Sequence, residues 1–354
     1  MSGIGPAPLI CDSFCYGTLL DMKRVAFATI LIALIAGVLA PQVYATDARQ
    51  ATTPQPAALS SRVDYPTPTP RAADAPVRVG IQVGHWKADE LPEELERLRT
   101  STGAFSAGLS EATVNLDVAR RIARLLEAQG VIVDVLPATV PPAYDADAFV
   151  ALHADGSRSP GARGYKIAPP WRTSRAAAAL RDAIYATYGA ATGMPTSDAI
   201  TINMRGYYAF SYRRHTHAVA RTTPAVIVEM GYLTNATDRS IMTRRADDVA
   251  SGIARGILDY LNARDARDGA ALVPVDYRIH RPIAENTIVR SAPRANAAVL
   301  ARVGPDRQVV IFSERDGWFE IVVRGEWRII GWIRQQDLQA TDEPPPTPPP
   351  ATDS

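Results

Sequence analysis

Four residues of this 354-residue chain are of types that carry out hydrolysis, and each stands where an element begins or ends. VRVGIQV (77–83) leads through Gly84 to His85, AFVAL (148–152) leads directly to His153, and AVIV (225–228) delivers Glu229. The fourth, Glu111, follows Ser110 and opens a helix, at the positive end of its dipole. Two neutral imidazoles and a carboxylate are ligands that Zn²⁺ prefers when its fourth position is left to water. A further carboxylate beside that water can act as general base. Glu229 suits that task, because a carboxylate at the end of a buried strand calls for a cation, a hydrogen-bond network or a catalytic use. Each residue also has a structural reading. A histidine at a strand end can be a hydrogen-bonded core residue, and Glu111 an ordinary first-turn acid. No His-x-x-x-His pair fixes two ligands on one helix, so spacing alone leaves both readings open. The common position of all four at one edge of a sheet favours the metal.

The elements that must position them can be read from periodicity. Ser110 can cap a helix whose Val114, Val118, Ile122, Leu125 and Leu126 keep helical spacing until Gly130 stops it. VIVDVL (131–136), GYKIA (164–168) and YYAFSY (207–212) add strands to the three already named. SRAAAALRDAIYATYG (174–189) and ADDVASGIARGILDYLN (246–262) read as helices. Strands alternating with helices predict an α/β domain, a mixed twisted sheet of about six strands covered by helices on both faces. Ligands in such sheets sit at the carboxyl ends of strands. After about residue 270 the texture changes to short β runs, TIVRSAP, VLARV, QVVIFSE, WFEIVV and IIGWI, which predict a small all-β domain.

Composition narrows the setting. The 38 Lys and Arg nearly cancel the 37 Asp and Glu, which argues against nucleic acid as a partner. Both cysteines, Cys11 and Cys15, precede Met22, so no later site can use thiolates. MKRVAFATILIALIAGVLAPQVYA has the charged, apolar and small-residue parts of a secretory signal. The reading is therefore an upstream mis-annotated start (1–21), a signal peptide (22–45) cleaved near Ala45, and a Pro/Thr-rich disordered linker (46–76). A catalytic domain (77–264), a linker (265–273), a β domain (274–340) and a Pro-rich disordered tail (341–354) follow. The expected location is outside the cytoplasmic membrane, secreted, periplasmic or wall-associated, with membrane contact only through the signal.

The catalytic segment resembles the zinc-dependent N-acetylmuramoyl-L-alanine amidases, bacterial cell-wall hydrolases. The resemblance rests on Gly84-His85 ending a first strand, Glu111 and Asn115 in SEATVNLDVARRIARLL, His153 in ALHAD and Glu229 in EMGYLTN, in that order over about 77–264. It implies one Zn²⁺ held by His85, Glu111 and His153, with Glu229 as catalytic acid/base. The implied substrate is peptidoglycan, glycan strand and stem peptide, cut between N-acetylmuramic acid and L-alanine. The family usually has Asp-Pro-Gly-His-Gly-Gly at the first ligand, whereas this chain has Gln82-Val83-Gly84-His85-Trp86-Lys87. Losing that Asp removes a partner that tunes metal affinity.

Trp86, Asn115, His215 and His217 are further candidates for substrate contact. Trp86 can wall a groove or fill the core, and His215 and His217 can lie in a solvated basic loop. KADELPEELERLRTSTGAFSAGL, between the first two ligands, reads in its charged half as a surface helix in preference to a lid over the site. The last β runs resemble a bacterial SH3-like domain, which implies wall binding through Trp318, Trp327 or Trp332, or equally a core use of those rings. Two rival functions stay open on sequence: a non-catalytic wall-binding protein with a degenerate metal site, and a zinc peptidase acting on the stem peptide.

Overall fold

The structure is a computed structural model and describes residues 60–63, 67, 69–72, 74–159, 161–324 and 329–343. The expected upstream start, the signal peptide, Trp327 and the tail from 344 onward lie outside the described residues.

The strands of the catalytic region lie in the order Ile132–Leu136, Arg78–Val83, Ala148–Asp155, Ala225–Tyr232, Lys166–Ala168. The first four are parallel and the last is antiparallel, so the sheet is mixed. Alternation sends Val150, Leu152, Val226 and Val228 to one face, where they share a core with three helices, Glu111–Glu127, Arg175–Thr192 and Ala246–Ala263. Phe149, Ala151, Ala225 and Ile227 point to the other face and meet Val140, Tyr144, Met204, Phe210 and Val219 from loops, one short helix and a 3₁₀ turn. Helices on both faces were expected. The long helices instead share one face, because residues 138–146 and 200–219 offer no helical stripe of sufficient length.

The helix Glu111–Glu127 begins as its sequence requires, with Ser110 Oγ accepting from Thr113 N at 3.3 Å. Val114, Val118, Ile122 and Leu126 are buried, while Leu125, one position off the stripe, is 40% exposed.

Two expectations for the elements are corrected. YYAFSY is not a sixth strand: a short helix, Ile202–Arg205, is followed by a 3₁₀ turn at Tyr208–Phe210. Its aromatic rings pack down on the sheet, with Phe210 6.4 Å from Phe149, and the hydroxyls of Tyr207 and Tyr208 bond to polar groups beneath them. The backbone turns to make those contacts instead of pairing. The charged segment after His85 is likewise no α-helix. It forms 3₁₀ turns at Ala88–Glu90 and Glu93–Leu98, with Leu91 and Leu95 buried against Ala88 and Ala138.

The C-terminal region is an antiparallel half-barrel of seven strands around Val289, Ile311, Phe319, Ile321 and Ile333. Asp316 and Gly317, both at positive φ, make the two-residue turn joining Val309–Arg315 to Trp318–Val323. An antiparallel sheet commonly leaves one face to water. Here both faces of these two strands are buried up to Ser313 and from Trp318 onward. Val310, Phe312 and Val322 leave the sheet's own core and pack with Trp171 of the catalytic region, whose ring lies 4.1 Å from that of Phe312. Beside them Arg205 and Glu320 form a buried ion pair at 2.5 Å, and Arg172 and Arg213 meet Asp276. Trp318 is also buried, which removes it as a surface for a ligand, while Trp332 is half-buried.

The expected linker is in part structured. Arg62–Val63 pairs antiparallel with Asp276–Tyr277, Arg62 meets Glu314, and Arg71 reaches Asp145 and Asp147. Backbone pairing supplies the order that its apolar content could not.

Candidate metal centre

Parallel packing sets the ends of three strands side by side. Val83 is in register with Leu152, Gly84 N donates to Leu152 O at 3.0 Å, and His153 is in register with Glu229. A break in register after His153 ends regular pairing there. His85 turns out of its strand at φ 62, a left-handed conformation that costs energy for a residue with a side chain. Gly84 must stay bare, because a Cβ there would lie 2.5 Å from the His153 imidazole. Gly103, at φ +72, is under the same restriction, with Glu111 Oε2 at 2.6 Å and His85 Cδ2 at 2.7 Å from a Cβ.

These constraints bring one ligand atom each from His85, Glu111 and His153 within 4.8 Å of one another. Glu111 Oε1 lies 2.9 Å from His153 Nδ1 and 3.5 Å from His85 Nε2, and accepts from Ala154 N at 3.1 Å. Its other oxygen accepts from Ala104 N at 2.8 Å. His85 Nδ1 donates to Ser101 O at 2.8 Å, which leaves its Nε2 as the electron-pair donor.

The proton on His153 can be placed by following the bonds from a fixed acceptor. Ala138 O only accepts, and it lies 2.9 Å from Gln82 Nε2 and 2.5 Å from the Tyr208 hydroxyl. The Gln82 amide is thereby oriented with Oε1 toward Tyr207, whose hydroxyl donates to it at 2.9 Å. The Tyr207 oxygen then accepts from His153 Nε2–H at 3.1 Å. His153 Nδ1 therefore presents a lone pair to Glu111 Oε1. Lone pairs of two imidazoles facing one carboxylate oxygen repel unless a cation lies among them, a proton or a metal ion. The residues fit a divalent ion of the zinc type, two nitrogens and an oxygen with a partner holding each ring in orientation.

Without a metal ion, the charges of the cluster favour a proton in its place. Burial pulls the His85 imidazole below its ordinary range, which keeps it neutral. Burial also acts to lower His153, but the Glu111 carboxylate outweighs this and raises it, so that without a metal ion a second proton is favoured on Nδ1, between the ring and Glu111. Burial would lift Glu111, yet the two histidines hold it down at about 2. Glu229 behaves in the opposite way. Burial pushes it up to about 8; His153 opposes that rise, and the carboxylates of Glu111 and Asp155 add to it. Its Oε2 is buried without a hydrogen-bond partner. Opposite it in register stands Lys166, whose ammonium donates to Asp155 at 2.5 Å and to Ala199 O at 2.9 Å.

The candidate substrate contacts fare differently. Asn115 is fully buried and donates from Nδ2 to Gly84 O at 3.3 Å, so it braces the turn at His85 and does not face a substrate. Trp86 is half-buried against the main core. His215 and His217 are drawn to Glu94, which accepts from His217 N and Nδ1, each at 2.8 Å, and lies 3.9 Å from His215 Nδ1. They latch the loop 213–217 to the turn Glu93–Leu98.

A family profile described as N-acetylmuramoyl-L-alanine amidase matches residues 79–259, just over half of the chain, from the strand Arg78–Val83 into the helix Ala246–Ala263. The chain belongs to the N-acetylmuramoyl-L-alanine amidase family. No curated protein sequence matches it. Among solved structures, it is similar to the amidase AmiC2 of Nostoc punctiforme at 23% identity and a TM-score of 0.36, covering 52% of this chain and 97% of that one. The catalytic domain of the amidase CwlV from Paenibacillus polymyxa var. colistinus gives 23% identity, a TM-score of 0.37 and coverage of 53% and 99%. The amidase Ami1 of Mycobacterium smegmatis gives 18%, 0.38, and 53% and 98%. The assignment rests on the family match. In this amidase, sequence reasoning missed Tyr207 and the use made of Gln82. The Tyr-Tyr pair at 207–208, two hydroxyls in an otherwise apolar run, was the available signal.

Proposed function

We propose that this amidase is secreted and zinc-dependent, and hydrolyses the bond between the lactyl group of N-acetylmuramic acid and L-alanine in peptidoglycan. His85 Nε2, His153 Nδ1 and Glu111 would hold the ion. When bound, it would supply a Lewis acid that acidifies water and polarises the scissile carbonyl. Glu229 is the proton carrier. It takes a proton from the attacking water as the new C–O bond forms, and returns it to the alanine nitrogen as the C–N bond breaks. Its raised proton affinity suits both transfers near neutral pH. The C-terminal half-barrel is proposed as an SH3-like domain that keeps the enzyme on the wall.

The observation that carries this reading is the convergence of two imidazole lone pairs on one Glu111 oxygen beside Glu229. The test is digestion of purified sacculi by the wild type and by Glu229→Gln, with zinc content measured in both. Zinc in both proteins, and release of new L-alanine amino termini falling by about 10²–10⁴ in the variant, is the expected result. Equal activity would remove Glu229 from the mechanism, a metal-free active protein would remove zinc, and cleavage within the stem peptide would make the enzyme a peptidase.

A further inference from the structure

We infer that the C-terminal sheet helps to build the metal site: Tyr207 is a positioning residue that fixes the His153 ring through Nε2, and the docked sheet holds the segment that carries Tyr207. The inference rests on the metal reading above and adds a role for the second domain other than tethering.

Tyr207 is the only described partner of His153 Nε2 in the bonds traced above, and its own hydroxyl is committed to Gln82. Turning the ring away would break this chain of bonds and swing Nδ1 off Glu111. Tyr207 sits in a loop, however, and loop backbones rarely hold a hydrogen bond to a tenth of a nanometre unaided. The segment is clamped at Arg205 and Gly206, immediately before Tyr207. Two residues before Tyr207, the Arg205 guanidinium is paired with both oxygens of Glu320 at 2.5 Å, and Ser313 Oγ donates to the same carboxylate at 2.6 Å. Arg205 O accepts from Trp171 N at 3.1 Å. Trp171 then lies flush against Gly206, where an added Cβ would meet its Nε1 at 2.8 Å, and the Trp171 ring also meets the Phe312 ring. Glu320, Ser313 and Phe312 all belong to the C-terminal sheet. A continuous set of contacts thus runs from Phe312 and Glu320, through Trp171, Arg205 and Gly206, to Tyr207 and His153.

The readout is metal affinity of the full chain, by competition with a chromophoric zinc chelator, and the visible spectrum of the Co²⁺-loaded protein. Tyr207→Phe keeps the ring and removes the acceptor; a loss of zinc affinity of about 10–100-fold and an altered Co²⁺ spectrum are expected. Glu320→Gln, on the other domain, should lose about 3–10-fold, and the double variant should bind no more weakly than Tyr207→Phe alone, since both act through one hydrogen bond. Wild-type affinity and spectrum in Tyr207→Phe would overturn the positioning role. Wild-type affinity in folded Glu320→Gln, or fully additive losses, would overturn the contribution of the sheet. Should Glu320→Gln fail to fold, Phe312→Ala carries that arm with the same expected loss. A wild-type chain that binds neither ion overturns the metal reading itself, a result distinct from all of these.

Discussion

Burial raises the proton affinity of the Glu229 carboxyl far above that of an ordinary carboxylate. Held at about 8 in the folded chain against an ordinary value of 4.5, it binds its proton more tightly folded than unfolded. Its contribution to stability is therefore complete below pH 4.5, declines as pH rises, and is lost above about 8. Glutamine has the same shape and never ionises. Metal-stripped Glu229→Gln should match the stripped wild type near pH 4.5 and exceed it at pH 9 by on the order of a few kcal/mol. Urea unfolding of both proteins across that range checks this. A gap that does not change with pH would mean that the carboxylate has found a partner and ionises normally. The same residue explains why the sequence was informative here. A charged group that ends an apolar strand is conspicuous in one dimension, as are a histidine after Gly84 and another after AFVAL. Tyr207 carries no such mark, since its role arises only from where a turn places its hydroxyl.

Helix contacts set the next scale. Gly252 and Gly256 lie one turn apart on Ala246–Ala263 and face the helix Arg175–Thr192. A Cβ on Gly256 would lie 2.5 Å from Ile184 Cα and 2.7 Å from Thr187 Oγ1, and that hydroxyl donates to Gly252 O at 2.7 Å. In an exposed helix, Gly→Ala would stabilise by about 1 kcal/mol. Here the obstacle is backbone, which cannot step aside, and overpacking of this kind costs about 1–3 kcal/mol. Gly256→Ala should therefore lower stability, seen as a lower urea midpoint with an unchanged slope; a rise would show that the two helices have room to part. The apolar periodicity of ADDVASGIARGILDYLN was enough to give the helix, whereas the close approach at Gly252 and Gly256 emerges only from the packing. YYAFSY misled because an aromatic run favours strand only where there is a neighbour to pair with, and this one stacks on the sheet instead. The runs VVIF and WFEIVV held a further signal. They lack the alternation of a half-exposed sheet, and the reason is that Val310, Phe312 and Val322 meet Trp171.

At the scale of the whole molecule, the question is what keeps the two domains docked. The Arg205–Glu320 pair is the obvious candidate, yet its energetics are unfavourable. Both groups are buried, and Arg205 Nε and Nη1 have no hydrogen-bond partner. Desolvating two ions is repaid only when every donor is used, whereas removing one ion strands the other. Arg205→Met alone and Glu320→Met alone should each cost about 3–5 kcal/mol, while the double replacement, which puts apolar side chains where the ions were buried, should fall within about 1–2 kcal/mol of the wild type. A double-mutant cycle by urea unfolding measures the difference. Additive losses would mean that the ions act independently and that the apolar contacts alone do not sustain docking. The same double variant separates charge from contact in the support of Tyr207. If the domains remain docked without the ion pair, the turn at Gly206 is still held by Trp171, and zinc affinity should stay close to that of the wild type even though Glu320→Gln, which leaves a buried guanidinium uncompensated, weakens it.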